Sequence, residues 1–228
     1  MFKQLFEFLQ KEDLIQQALA DACEMLELTR ILFIKAAEPL YEGESVNAQE
    51  IYDMDQKINL YEIEIRRKVM EHLSLSPRQD TTAALVLTTI TVDIERIGDY
   101  SKNAYELWEI YGKQVNNEPV FQRLKQIFFN LKTMFDNTIK ALSESDAEIA
   151  HRVMQTHITN SKDCEEIITA LIRTPSCSDG MKSNQEVLAA LASRYLKRTS
   201  AHLKNIASSI VNPFDRIGFK PGGTEEYE

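Results

Sequence analysis

The chain has 228 residues, a length that fits one large or two small folded domains. Of these residues, 43% are apolar and 27% are charged, which is ordinary for a globular protein. Its formal net charge of −9 argues against binding of nucleic acid through bulk electrostatics and favours basic partners or cations. Seven glycines and six prolines are fewer turn residues than a sheet protein needs. The composition therefore predicts a globular protein rich in long helices.

The first half of the chain predicts three helices. Apolar residues recur at three- and four-residue steps over residues 5–40, until Pro39 and Gly43 break the pattern. A second helix is predicted from about Asn47 to Leu73, with Asn47 as its cap, and a third from about Asp80 to Tyr111.

The start of the chain carries a separate feature. Residues 11–13 interrupt the first pattern and leave Phe2, Leu5, Phe6 and Leu9 as a short amphipathic piece. Packing on the end of a helical bundle is the simpler hypothesis for residues 1–12, and binding to a membrane surface or a partner is the alternative.

The second half repeats this plan. Residues 112–119 (GKQVNNEP) are typical of a linker, and the helical patterns that follow span residues 120–142, 145–173 and 183–211. We predict an all-α fold of two tandem antiparallel three-helix bundles, six long helices in total. The predicted units are a first repeat of residues 1–113, a second repeat of residues 120–211 and a C-terminal tail of residues 212–228.

A direct repeat supports this division. Identical residues recur 101 or 102 positions apart, namely Asn59 and Asn160, Arg96 and Arg198, Lys102 and Lys204, and Asn103 and Asn205. They fall at equivalent places in the second and third helices of each half, which indicates an internal duplication.

The cysteines and the lack of long apolar runs indicate the cellular compartment of the protein. Cys23, Cys164 and Cys177 are odd in number and form no C-x-x-C pair, which is typical of free thiols in a reducing cytosol. No apolar run approaches the roughly 18 residues that span a bilayer, and the first residues do not resemble a signal peptide. We therefore expect a cytoplasmic protein.

The densest group of polar side chains lies on the predicted second and third helices. Glu95 and Asp99 are four residues apart and share one helical face, as do Asp55, Asn59 and Glu62 on the helix before. Two such rows would offer five oxygen-bearing side chains to a hard cation or to iron. The alternative is a solvated charged face, neutralised in part by a neighbouring arginine.

The segment DIERIGD (residues 93–99), followed by Lys102 and Asn103, resembles the third-helix signature of PhoU-type phosphate-uptake regulators. Asp55-x-x-x-Asn59-x-x-Glu62 is similar to the partner motif on that family's second helix. The resemblance implies iron or zinc at Glu95 and Asp99, with the second-helix side chains in support. It also implies a cytoplasmic, non-enzymatic regulator, often dimeric, which contacts a phosphate transporter component and/or a sensor histidine kinase.

The second half departs from this motif, because Lys197 and Ala201 stand where the first half has Glu95 and Asp99. We therefore expect at most one acidic metal patch. No Gly-rich phosphate loop, G-x-S-x-G or H-E-x-x-H motif indicates an enzyme.

Two alternatives to the regulator stay open at this point. One is a bundle whose function is to bind iron or zinc, and the other is a membrane-associated adaptor that uses residues 1–12. The sequence also leaves open whether an ATP-driven or a sodium-coupled transporter is served. In the tail, Phe214, Ile217 and Phe219 are expected to pack on a bundle end or on a second copy.

Overall fold

The computed structural model describes residues 14–42, 46–75, 80–113, 115, 118–173 and 183–219. These residues form six long helices and one short 3-10 turn, without a β-strand among them. The helices are α1 (Leu14–Glu42), α2 (Ala48–Leu75), α3 (Thr81–Tyr111), α4 (Pro119–Glu144), α5 (Ala147–Arg173) and α6 (Ser183–Val211), and the turn is Phe214–Arg216. The predicted all-α class and the six long helices are confirmed.

The helix ends follow from local chemistry. Asn47 accepts a hydrogen bond from the Gln49 amide at 3.0 Å, as expected of the predicted cap of α2. The helix α5, predicted to start near Ser145, begins at Ala147, and the side chain of Asp146 caps it by accepting a bond from the Ile149 amide at 2.9 Å. Gly112 ends α3 in the left-handed conformation, with φ of 67°, and its amide donates to the Trp108 carbonyl.

The first helix ends two residues after the predicted end at about Leu40. Pro39 lies inside α1, which continues to Glu42. A proline removes one backbone donor and clashes with the preceding turn. It is tolerated here because the helix ends within one turn of it. The predicted start of this helix, before Leu14, lies outside the described residues.

Each set of three consecutive helices packs around its own buried stripe. We call α1–α3 the first repeat and α4–α6 the second repeat. The core of the first repeat includes Met25, Ile58 and Ile94, and that of the second includes Leu131 and Leu203, all at most 1% exposed. None of the helices within the described ranges is apolar enough over a sufficient length to cross a membrane.

The two repeats meet along two helix pairs, α3 with α6 and α1 with α4. In the α1–α4 contact, Phe33 packs on Phe128 and Phe135 with ring centroids 5.2 and 5.1 Å apart, and Tyr41 lies 5.3 Å from Phe128. Such tilted aromatic pairs bury large apolar areas. The α3–α6 contact is polar and is described below.

Candidate functional site

The acidic residues predicted to form one site lie on the antiparallel pair α2 and α3. Asp55 and Glu62 belong to α2, whereas Glu95 and Asp99 belong to α3. Glu95 is close enough to feel the charges of the other three carboxylates. These four side chains therefore share one surface, which we call the carboxylate surface. Asn59 lies half-buried on the same helix as Asp55.

Three basic side chains neutralise part of this surface, and one of them, Arg66, lies 2.8 Å from Glu62. The Lys102 ammonium donates to Asp55 Oδ2 at 2.8 Å and to Asp99 Oδ1 at 3.4 Å, and so joins the two helices. Arg96 lies 3.2 Å from Asp99 and 3.6 Å from Glu95. The predicted alternative is a solvated charged face, neutralised in part by a neighbouring arginine, and Arg96 is in a position to provide that charge.

The pKa values of Glu95 and Lys102 reflect the crowding of charges on this surface. Partial burial, and then the charge of Asp99, raise the pKa of Glu95, and the more distant Glu62 and Asp55 act in the same direction. Burial alone would lower the pKa of Lys102, but its bond to Asp55 and the charges of Asp55 and Asp99 outweigh that effect and raise it. Four carboxylates and three cations therefore leave the surface with a small net negative charge.

The carboxylate surface fits a metal ion by chemistry but not by arrangement. Its oxygen donors suit a hard cation. Lys102, however, already occupies the space between Asp55 and Asp99. Within the described parts of the chain, no three His, Cys, Asp or Glu side chains are grouped so as to hold a metal ion. The iron or zinc site implied by the resemblance stays a prediction.

Gly98 lies beneath this surface, where α2 and α3 approach each other closely. A Cβ atom at Gly98 would lie 3.4 Å from two side-chain atoms of Ile58. Glycine inside a helix lowers its intrinsic stability. A methyl group at this position would make ordinary van der Waals contact with Ile58.

The equivalent surface of the second repeat has a different chemistry. Lys197, at the position of Glu95, pairs with Glu165 on α5, and Ala201 replaces Asp99. Lys204, the equivalent of Lys102, donates to the carbonyl of Gly218 in the C-terminal turn. The expected loss of paired carboxylates is thus accompanied by a new contact that ties down the tail.

The tail folds back beside its own helix and near α3. The Gly218 amide donates to Ser208 Oγ at 2.7 Å, and Asn212 donates to the Phe219 carbonyl at 2.8 Å. Phe214 and Phe219 keep 38% and 50% of their surface exposed. Hydrogen bonds between polar side chains and the backbone therefore hold this segment, and the expected packing of Phe214, Ile217 and Phe219 stays a prediction.

A buried network that the sequence did not reveal joins the repeats between α3 and α6. Asp93 Oδ1 lies 2.6 Å from His202 Nδ1 and accepts a bond from Asn205 Nδ2 at 3.0 Å. Arg198 NH2 lies 3.2 Å from His202 Nε2, and its Nε donates to the Tyr100 hydroxyl at 3.2 Å. The sequence separation of 109 residues between Asp93 and His202 hides this pairing.

The network fixes the hydrogen positions on the imidazole of His202. Arginine can only donate, so His202 Nε2 accepts from Arg198 and His202 Nδ1 donates to Asp93. Tyr100 stacks on the same ring with centroids 5.8 Å apart. The contact between the repeats is therefore specific in orientation as well as in position.

Comparison with known proteins agrees with this architecture. The model of the PhoU domain matches residues 22–107 and again residues 124–210, one match in each repeat. This chain belongs to the PhoU domain family. The PhoU family is regulatory rather than enzymatic.

A curated PhoU relative and two solved PhoU structures extend the likeness over most of the chain. The phosphate-specific transport system accessory protein PhoU homolog of Zymomonas mobilis is 25% identical over 193 residues, which cover 82% of this chain and 79% of the relative. PhoU from Pseudomonas aeruginosa superimposes with a TM-score of 0.75 at 22% identity, over 88% of this chain and 96% of that structure. The phosphate transport system regulatory protein PhoU of Streptococcus pneumoniae gives 0.75 at 17% identity, over 86% and 93%. At such identities, the two structures support the shared PhoU fold.

Proposed function

We propose that this PhoU-family chain is a non-enzymatic regulator of phosphate uptake and of the phosphate-starvation response. It acts by direct contact with a phosphate transporter component and/or a sensor histidine kinase, and the homodimer expected from the resemblance stays a prediction. The observation that carries the proposal is the match of the PhoU domain to both repeats of one chain. The Zymomonas mobilis relative, named as an accessory protein of phosphate-specific transport, supports the same function.

The carboxylate surface is the part of the molecule that we propose contacts the partner. Four carboxylates against three cations leave a small local negative charge, in a chain whose net charge is −9. Charge of one sign steers a basic partner surface and sets its orientation. Helix packing fixes the backbone on both sides, so the partner meets a preformed surface.

A paired replacement in the native host tests this surface. Glu95→Gln/Asp99→Asn removes two negative charges from the carboxylate surface, and we expect phosphate uptake to rise to the rate of a deletion strain. Recovery of transporter or kinase components by pull-down from phosphate-limited cells should fall to background. Radiolabelled phosphate uptake and quantitative proteomics of the captured material provide the two readouts.

The second repeat offers a matched control. Asp163→Asn/Glu166→Gln removes the same charge from α5, where these residues pair with Arg123 at 3.7 and 3.0 Å. We expect this variant to behave as the native chain. Equal effects of both variants would contradict a specific role for the carboxylate surface. A deletion strain with unchanged uptake and signalling would contradict the regulatory function itself.

A second function, metal binding, rests on the crowding around Glu95. Burial raises the pKa of Glu95, the charges of Asp99, Glu62 and Asp55 add to this effect, and a cation bound beside Glu95 would offset that repulsion. We propose that iron or zinc binds at Asp55, Glu62, Glu95 and Asp99, with Asn59 nearby, in competition with the Lys102 ammonium. One lysine charge beside a cation opposes binding by about 1 kcal/mol or more, depending on exposure.

Elemental analysis separates this second function from the first. Protein purified without a metal-chelating tag should contain iron or zinc, Lys102→Met should contain more, and Glu95→Gln/Asp99→Asn should contain almost none. Near-zero metal in the native chain and in Lys102→Met would exclude the metal site. That result would leave the regulatory proposal standing.

A further inference from the structure

An apolar groove lies between the last turns of α2 and the first turns of α3. Its volume is about 370 Å³, and Val69, Met70 and Leu73 line the wall on α2, while Leu85 lines the wall on α3. Met70 is 66% exposed and Leu85 is 41% exposed. Large apolar side chains gathered in one groove favour an apolar occupant over water.

The groove adjoins the carboxylate surface on both of its helices. On α2, Arg66 lines the groove and also lies 2.8 Å from Glu62 of the carboxylate surface. On α3, Thr88 lines the groove and precedes Glu95 by seven residues, which is two turns further along the same face of the helix. The two walls of the groove therefore lead directly from apolar side chains to carboxylates.

The two ends of this continuous surface favour different chemistry in a partner. The groove favours apolar side chains, whereas the carboxylate surface, with four carboxylates against three cations, favours basic ones. Asp99 keeps 31% of its side chain exposed, so a basic group can reach it. A partner that matches both ends carries its apolar and its basic side chains in separate blocks.

The dimensions of the surface suit an α-helix. Asp99 follows Leu85 by 14 residues, which is about 21 Å along α3. A helix of about 15 residues has the same length, and a groove between two helices accepts the apolar face of a third. Side chains at i and i+4 of such a helix would reach the groove, and those at i+11 and i+14, on the same face, would reach Glu95 and Asp99.

We propose that the α2–α3 groove and the carboxylate surface together bind one amphipathic helix of the regulated partner, about 15 residues long, whose apolar end fills the groove and whose basic end lies over the carboxylates. This inference rests on the proposed function, because it assigns the partner contact to the same surface, and it adds the groove and the chemistry of the partner segment. Residues 1–12, for which the sequence predicted packing on a bundle end or binding to a partner, lie outside the described residues.

Photo-cross-linking in phosphate-limited cells of the native host tests the joint contact. Benzoylphenylalanine replaces Met70 in the groove or Asn59 beside the carboxylates, two α2 positions about 16 Å apart. We expect both probes to label one polypeptide of a transporter component or sensor kinase, at sites about 8–14 residues apart. The same probe at Leu60, which is 63% exposed on α2 but does not line the groove, is the control and should give at most background labelling.

The other labelling patterns would overturn the proposal. Labelling of a second copy of this chain from position 70 would identify a dimer contact in the groove. Labelling from position 59 without labelling from position 70 would exclude the groove and leave the regulatory contact standing. The absence of labelling from both positions would remove the partner contact at this surface altogether.

Phosphate uptake in the same host separates the inference from the proposed function. Met70→Asp places a charge in the groove, and we expect uptake within about twofold of that in a deletion strain, as for Glu95→Gln/Asp99→Asn. Leu60→Asp is the matched control and should behave as the native chain, and thermal unfolding checks that both variants fold. An effect of the double variant without an effect of Met70→Asp would refute the groove alone. No change of uptake in the deletion strain would refute the proposed function.

A binding measurement on the purified full chain completes the test. The probe is a fluorescent synthetic peptide of 18 residues that spans the two cross-linked sites, and its anisotropy reports the Kd. We expect Met70→Asp to weaken binding roughly tenfold. A peptide of the same composition with apolar and basic residues interleaved should bind at least about tenfold more weakly. Equal binding of the two peptides, or an unchanged Kd in Met70→Asp, would contradict the proposal.

Discussion

The two repeats share a fold but differ at equivalent positions of their outer helix pairs. In the first repeat, Glu95 and Asp99 join Asp55 around Lys102. In the second repeat, Lys197 stands at the position of Glu95 and pairs with Glu165. The surface of the first repeat carries four carboxylates against three cations, whereas at the equivalent position of the second repeat one lysine pairs with one glutamate.

The side chains buried between the helices also differ between the two repeats. Gly98, which faces Ile58 between α3 and α2, is replaced in the second repeat by Ser200, whose hydroxyl lies 3.0 Å from His157 Nδ1. Across the α3–α6 contact, Asp93 and His202 form a pair, while the rings of their equivalents Tyr195 and Tyr100 are tilted, with centroids 6.1 Å apart. Duplication therefore preserved the helix packing while the side chains at the contacts diverged.

The largest expected effect comes from the network that holds the repeats together. Asp93→Ala leaves His202 and Asn205 without their buried acceptor, and we expect a loss of about 3–5 kcal/mol in the free energy of unfolding. Urea denaturation measures this loss. Asp93→Asn keeps an oxygen that accepts both bonds and should cost clearly less. Equal losses in the two variants would show that the network contributes packing rather than hydrogen bonding.

The next largest effect concerns the contact between His157 and Ser200, whose equivalents in the first repeat are Gln56 and Gly98. Burial, followed by the charges of Lys204 and Lys197, lowers the pKa of His157 from 6.5 to about 4. A histidine with a depressed pKa in the folded state contributes stability above pH 6.5 that is lost as the pH falls towards 4, here at most roughly 3 kcal/mol. NMR titration of the ring and unfolding at pH 7 and pH 5 measure both quantities.

The first repeat supplies the control for this titration. Gln56 stands at the position equivalent to His157. His157→Gln should therefore flatten the dependence of the unfolding free energy on pH between 7 and 5. Titration of His157 near its ordinary pKa of 6.5 would contradict the buried contact with Ser200.

A smaller effect is expected where the first repeat has its close helix approach. Gly98→Ala places a methyl group in van der Waals contact with Ile58 and removes the backbone entropy of glycine, so stability should rise by about 1 kcal/mol. Thermal unfolding measures the change. Gly112→Ala is the opposite control, because Gly112 has φ of 67° and the substitution should destabilise. A loss in Gly98→Ala would indicate that the gap between α2 and α3 cannot accept a methyl group.

Periodicity alone predicted the fold of both repeats, because a long apolar stripe at helical spacing has few other solutions. The same local rule placed Glu95 beside Asp99, four residues apart on α3. The sequence also showed that Lys197 and Ala201 replace this pair in the second repeat. These features depend on the spacing of residues along one helix, which can be read directly from the sequence.

Contacts between residues on different helices could not be predicted from residue spacing along the chain. Lys102 lies 47 residues from Asp55, and its position between two carboxylates depends on the register of α2 against α3. Asp93 belonged to the recognised motif but was assigned no partner, since its partners lie on α6 in the other repeat. A pairing across two packed helices follows from crossing angle and register, which residue spacing along one helix does not encode.

The smallest effect compares two glutamates whose surroundings act in opposite directions. The pKa of Glu95 is raised by burial and by neighbouring carboxylates, whereas that of Glu165 is lowered by its hydrogen bond to Lys197. A raised pKa makes ionisation of Glu95 destabilising above that pKa, so Glu95→Gln should increase the unfolding temperature at pH 7 and lose this gain as the pH falls. Glu165→Gln should lower the unfolding temperature at pH 7, and its difference from the native chain should vanish in acid. Both shifts are expected to be small, because solvent screens these partly exposed groups. Calorimetry of the two variants from pH 7 to pH 3 measures the signs, and shifts of the same sign would refute the contrast between the two surfaces.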